Sequence, residues 1–287
     1  MDPLSAIDAP LDCSGRGRGE ELAPAALRAA GLVERLGVHD AGEADARIRD
    51  DRRDPATGVI GAADIRRASA AIADGVRAIR EAGRRPLVLG GDCTLLLGVF
   101  QALPTGTGLW FVDGHADFYD GETSPTGEAA DMELSILTGH GPHGLLESSE
   151  PLLDPAAVVL LGHRPDELGP DVALENGRVD RRIHALTASE VRQQGAAGTG
   201  ADAATRLADR PAWLHLDLDV LDETALPAVS YPQPLGLDWD DVVEIARPLA
   251  AAPNLIGVSV ADFNPDLDPD GAHAHRVVEA LRSTFRR

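Results

Sequence analysis

The chain has 287 residues, 44% of them hydrophobic, enough for one large core, and no apolar run is long enough to cross a membrane. A formal charge of −21 argues against nucleic acid as a partner, because phosphate binding needs clustered cations, and it is compatible with a small cationic substrate. Lysine is absent, which removes Schiff-base chemistry; Cys13 and Cys93 are the only cysteines, so no disulfide framework is implied; and Met1-Asp2-Pro3 does not begin a signal peptide, so the expected location is the cytoplasm.

After Ser14 a Gly-rich turn leads into a helix that Pro24 opens in its first turn. Gly15-x-Gly17-x-Gly19 reads as a plain loop rather than a phosphate cradle, because no strand pattern precedes it. Residues 41–59 are polar and charged and read as an exposed loop. Over 62–82, Ile65, Ala68, Ile72, Val76 and Ile79 recur at helical spacing, with most arginines off that face, which predicts an amphipathic helix ended by Gly83. Residues 85–89 form a short buried strand that runs into Gly90-Gly91-Asp92-Cys93-Thr94, and a helix follows over 95–103. Another strand at 109–112 precedes a loop over 121–131, rich in turn residues and carboxylates, and a helix at 132–138. Further strands are expected at 156–161, 182–186, 212–216 and 254–260, with helices from Ser189, over 238–251 and over 275–286. This alternation predicts a single α/β domain over 1–287, with a parallel sheet covered on both faces and sites at the carboxyl ends of its strands.

Asp113, His115 and Asp117 follow the 109–112 strand at intervals of two, on a segment that still reads as extended, so their side chains face one way. Asp217 and Asp219 repeat that spacing after another strand, and Cys93 sits at the end of a third. These six groups, four of them carboxylates, are too many for one tetrahedral zinc. They suit two hard or borderline divalent ions sharing carboxylates, with Mn²⁺ the natural choice. Paired ions of this kind lower the pKa of a shared water and support hydrolysis.

Gly90-Gly91-Asp92-Cys93, Asp113-x-His115-x-Asp117 and Asp217-x-Asp219-x-x-Asp222 resemble the three signature motifs of the ureohydrolase superfamily, which includes arginase and agmatinase. Pro24-x-x-Leu27-Arg28-x-x-Gly31-Leu32, Gly162-x-Arg164 and Asp262-Phe263-Asn264-Pro265 extend the resemblance over nearly the whole chain. It implies a three-layer α/β sandwich with a central parallel sheet, of the arginase/deacetylase kind, and a homotrimer or homohexamer. It also implies that Cys93, Asp113, Asp117 and Asp217 bind the first ion, and His115, Asp113, Asp217 and Asp219 the second. Asp219 would in addition stabilise the tetrahedral intermediate and handle its proton. Asp262 stands where the family places a glutamate that hydrogen-bonds the guanidinium, and Thr126, Gly127 and Glu128 stand where family members contact the rest of the substrate.

Two departures bear on function. The family usually has histidine at the position of Cys93, so a sulfur ligand would make Zn²⁺ or Fe²⁺ more competitive with Mn²⁺, unless the cysteine is simply buried and inert. Arginases carry a proton-shuttling histidine in the loop where this chain has Ala129-Ala130-Asp131, which leaves the proton donor to the leaving amine unassigned. A branch acting on hydroxyarginine shares the cysteine. His140, His143 and His163 read as loop or structural residues, and His273 and His275 as solvent-facing. Glu122, Glu128, Asp131 and Glu133 form either a solvated acidic loop or part of a site for a cationic substrate. The leading reading is a binuclear metal-dependent hydrolase that cleaves a guanidino compound (arginine, hydroxyarginine or agmatine) to urea or hydroxyurea and an amine. The alternatives are a catalytically silent or regulatory homologue and a hydrolase of formimino or other C–N bonds.

Overall fold

The computed structural model describes residues 2–285; Met1 of the Met1-Asp2-Pro3 start and Arg286, the expected end of the last helix, lie outside the described residues. The strands are β1 (Leu4–Ala9), β2 (His39–Glu43), β3 (Arg85–Gly90), β4 (Gly108–Val112), β5 (Val158–His163), β6 (His184–Thr187), β7 (Ala212–Asp217) and β8 (Leu255–Ala261). The helices are α1 (Ala23–Ala29), α2 (Leu32–Leu36), α3 (Ala62–Glu81), α4 (Leu95–Gln101), α5 (Glu133–Leu137), α6 (Pro170–Asn176), α7 (Ala188–Gln194), α8 (Ala196–Arg206), α9 (Trp239–Ala251) and α10 (Ala272–Phe285). Among the described residues the strands form one parallel sheet in the order β2-β1-β3-β8-β7-β4-β5-β6.

Alternation along the strands sorts apolar side chains into two cores, as a sheet covered on both faces requires. Leu109 and Phe111 of β4 pack with α3, α4 and α5 on one face. Trp110 and Val112 pack on the other face, in the core that also holds residues of α1, α2 and α7 to α10. This is the parallel sheet covered on both faces that the strand and helix alternation predicts, and the three-layer α/β sandwich that the resemblance implies. Its central strands β3, β8, β7 and β4 are neighbours, so their carboxyl ends open onto one crevice.

Several local expectations are corrected. A strand does precede the Gly-rich loop: β1 is short and carries buried Ser5 and Asp8, which mask its pattern, and Arg28 offsets the Asp8 charge at 2.7 Å. The stretch expected to be loop from residue 41 begins inside β2, an edge strand whose residues are all exposed and so give no apolar signal. Left-handed Gly31 separates α1 from α2, and Gly195 divides the helix expected from Ser189 into α7 and α8. Neither α6 nor its buried Glu175 is anticipated. Strands β4 and β7 end at Val112 and Asp217, so the extended alternation does not carry on through Asp117 and Asp219. Asp117 is instead left-handed, with φ 47°, and Asp219 lies in a single 3₁₀ turn over Leu218–Val220.

Candidate metal centre

The site is assembled from loops that leave the four central strands. Gly91 is required where β3 ends, because a Cβ there would lie 1.6 Å from the Leu11 carbonyl oxygen. The turn after it delivers Cys93 to the crevice. Cys93 Sγ lies 2.5 Å from Asp217 Oδ2, 3.1 Å from Asp262 Oδ2 and 3.7 Å from Asp113 Oδ2. The Asp217 carboxylate accepts from the Asp219 backbone N–H at 2.6 Å, and this cap curls the 3₁₀ turn so that Asp219 points back into the site. Asp113 likewise accepts from the His115 N–H at 2.7 Å.

All six ligands expected from sequence therefore converge, through turn geometry where strand alternation was expected to do it. They fall into overlapping groups whose donor atoms lie within 4.8 Å of one another, with Asp113 common to all. One holds Asp113, His115 and Asp219; a second holds Cys93, Asp113, Asp117 and Glu133; a third holds Cys93, Asp113, His215 and Asp217. The left-handed backbone at Asp117 turns it away from His115 and toward the Cys93 side.

His215 and Glu133 enter these groups without having been assigned from sequence. For His215 a signal exists, since His215-x-Asp217-x-Asp219 has the same spacing as Asp113-x-His115-x-Asp117. For Glu133 the signal is weak: it stands among other acidic residues, and its complete burial follows from where α5 docks.

A model of the arginase family matches residues 3–285. The chain belongs to the arginase family. It is 29% identical to the arginase of Bacillus caldovelox over 309 residues, covering 99% of this chain and 98% of that protein. The native structure of an arginase from the same organism superposes with a TM-score of 0.87 over 100% of this chain and 99% of that one. The fold is shared with formimidoylglutamase of Bacillus subtilis, at 19% identity and a TM-score of 0.75, over 100% of this chain and 87% of that chain. Arginase-family members are metal-dependent amidinohydrolases, and the chain is an enzyme of that class.

The electrostatics of this arginase-family site fit a bound cation. Burial, followed by neighbouring carboxylates, pushes Asp113, Asp117 and Asp262 well above the ordinary carboxylate range. Burial and then Asp219 push Asp217 up to about 7. Such a cluster keeps its protons unless positive charge replaces them. On the His115 side the balance differs. Burial pulls the imidazole down, but the Asp219 carboxylate, 2.9 Å from Nδ1, outweighs it and raises His115 to about 9. Burial opposes ionisation of Asp219, yet His115 and Arg164 hold it at about 2.

A cavity of about 210 Å³ reaches the cluster. Ten of its lining residues are acidic, and its single arginine, Arg18, is already paired with Glu128 at 2.8 Å. Glu128 also accepts from Tyr231 Oη at 3.0 Å. Thr126 and Glu128 line the cavity, while Gly127 between them supplies the left-handed turn at φ 78°. Asp131 is held inside the loop by Ser124 Oγ at 2.7 Å and Thr126 Oγ1 at 2.6 Å. The acidic loop thus divides: Glu122 is exposed, Asp131 is held within it, Glu128 is engaged by Arg18 and Tyr231 from outside it, and Glu133 joins a candidate metal-ligand group.

His140 lies 3.3 Å from Asp180, and His163 is buried beyond the site, which matches their reading as loop and structural residues. No helix of the described residues is long and apolar enough to cross a membrane.

Proposed function

We propose that the enzyme hydrolyses a cationic guanidino compound of the arginine, hydroxyarginine or agmatine type, releasing urea, or hydroxyurea from hydroxyarginine, together with an amine. The observation that carries this reading is the set of overlapping ligand groups at the ends of β3, β4 and β7, opening into a cavity with ten acidic lining residues. Two divalent ions bound there, with Mn²⁺ the expectation from sequence, supply an acidified water and positive charge to offset the charge developing at the reacting carbon.

In this reading Asp113, Asp217, Cys93 and Asp117 would hold one ion, and Asp113, Asp217, His115 and Asp219 the other. Asp262, beside Cys93 at the cavity wall, accepts an N–H of the guanidinium and orients it. Asp219 receives the proton of the attacking water at its carboxylate, which His115 and Arg164 hold ionised. Glu20 and Asp92 extend the carboxyl-lined wall, and Thr126 and Glu128 contact the distal part of the substrate beside the Gly127 turn.

Urea or hydroxyurea release from arginine, hydroxyarginine and agmatine, measured on protein loaded with Mn²⁺, tests the proposal. No release from any of them, with two bound ions per chain verified, overturns it.

A further inference from the structure

We propose that the metal centre at Cys93 is rebuilt in this chain: His215 supplies an imidazole from β7 to the donor set that Cys93 shares with Asp113 and Asp217, Glu133 supplies an added carboxylate from α5 to the set that Cys93 shares with Asp113 and Asp117, and Cys93 contributes sulfur to both. The resulting shell shifts preference from Mn²⁺ toward Zn²⁺ or Fe²⁺. The inference rests on the metal-centre reading above and extends it to two residues that reading leaves unused.

His215 is fully buried, and its Nε2 lies 3.1 Å from Cys93 Sγ, within the group that includes Asp113 and Asp217. Ligands held about 2.0–2.3 Å from one ion stand about 3–4 Å apart, so this spacing is that of two donors to a common ion. The other ring nitrogen, Nδ1, lies 2.7 Å from Ser259 Oγ, which also accepts from Trp213 Nε1 at 2.9 Å. The ring stacks on Phe111, its register partner on β4, at 5.3 Å. An imidazole anchored through one nitrogen, with the other directed at clustered carboxylates, is the arrangement of a metal-ligating histidine. The tautomer that ligates carries its proton on Nδ1 and donates it to Ser259.

Glu133 gives an independent sign. Its side chain is fully buried, and neither carboxylate oxygen has an N–H or O–H partner among the described residues. Glu133 lies against the Asp117 carboxyl, and two buried carboxyls in contact are costly to ionise together; an ion among Cys93, Asp113 and Asp117 offsets that cost.

The same Cys–His pair could serve a metal-free hydrolase as nucleophile and base. The carboxylates of Asp113, Asp217 and Asp262 around the sulfur disfavour a free thiolate, whereas a bound ion favours one, with the thiol proton released on binding. The structure also revises what Cys93→His alone would do: the introduced imidazole meets the one already there. Moving the imidazole back takes the pair Cys93→His/His215→Ala.

The test uses the full chain, stripped with chelator and titrated with Zn²⁺, Mn²⁺ and Co²⁺, with bound metal counted directly. The unaltered protein is expected to bind two ions per chain and, with Co²⁺, to show a thiolate-to-cobalt charge-transfer band that Cys93→Ser abolishes. His215→Asn, which keeps a partner for Ser259, and Glu133→Gln should each weaken Zn²⁺ binding about 10-fold or more. The double variant should lower the Zn²⁺/Mn²⁺ affinity ratio by a similar factor. Zinc-edge X-ray absorption on the unaltered protein reads the shell without mutation: one sulfur at about 2.3 Å and two imidazoles over the two ions are expected.

Two ions bound with only nitrogen and oxygen donors, or unchanged affinity in both single variants, overturn the rebuilt shell and leave the metal centre standing. No ion bound overturns both. Turnover by metal-free protein, lost on alkylation of Cys93, establishes the nucleophilic use instead.

Discussion

His115 Nδ1 lies 2.9 Å from Asp219 Oδ2, joining the loop after β4 to the turn after β7 across the mouth of the crevice. The pair accounts for the opposite displacements of the two groups, His115 up to about 9 and Asp219 down to about 2, each against the direction that burial alone would impose. In metal-stripped protein, His115 should therefore titrate far above 6.5 by NMR, and in Asp219→Asn its pKa should fall by at least about one unit as the charge partner disappears. An unmoved titration would show that another group holds the imidazole protonated.

Asp113 belongs to all three of the site's central ligand groups, so its loss weakens every part of the site at once. Asp113→Ala should lower turnover more than about 100-fold, since even outer partners of metal ligands cost about 10–100-fold, and should reduce the bound-metal count. Metal analysis and urea release on one sample check this. Full turnover would place the chemistry elsewhere.

Arg164 is fully buried and donates to the carbonyl oxygens of Asp219, Val220, Leu221, Gln233 and Pro234 at 2.9–3.2 Å. It pins the turn that aims Asp219. Lysine keeps the charge but lacks the planar fork, so Arg164→Lys should cost about 3 kcal/mol in denaturant unfolding, with m unchanged. A loss below about 0.5 kcal/mol would mean that the turn holds itself.

His163 is buried at the end of β5, and burial lowers its pKa from 6.5 to about 4. Between those values the unfolded chain binds the proton and the folded one does not, so stability rises with pH across that window. The contribution, about 3 kcal/mol, is fully present above pH 6.5 and is lost as pH falls toward 4. The difference in stability between wild type and His163→Gln should narrow or invert by about that amount on acidification through the window. A pH-independent difference would show that His163 titrates normally.

The resemblance to the arginase family and the six residues that converge at the candidate site were legible because their residue types occur at fixed spacings beside apolar strands. The mechanism of convergence was not. Alternation suggested one extended face for Asp113, His115 and Asp117, whereas left-handed Asp117 divides them between two ligand groups around Asp113. β1 escaped notice because Ser5 and Asp8 interrupt its hydrophobic run, a composition acceptable only because the sheet and Arg28 satisfy them.

The sequence by itself determined the chain's family, the alternation that builds a parallel sheet, and the chemistry available at its strand ends. Local spacing reports which face of its own strand a side chain takes, and that much was enough for Asp217, the last residue of β7. Only the tertiary structure decided that His215 of β7 meets Cys93 beyond β3, and that Glu133 of α5 is sealed against the Asp117 carboxyl. Those meetings depend on strand order and on how a helix docks over the sheet, which are set by packing between residues distant in the chain.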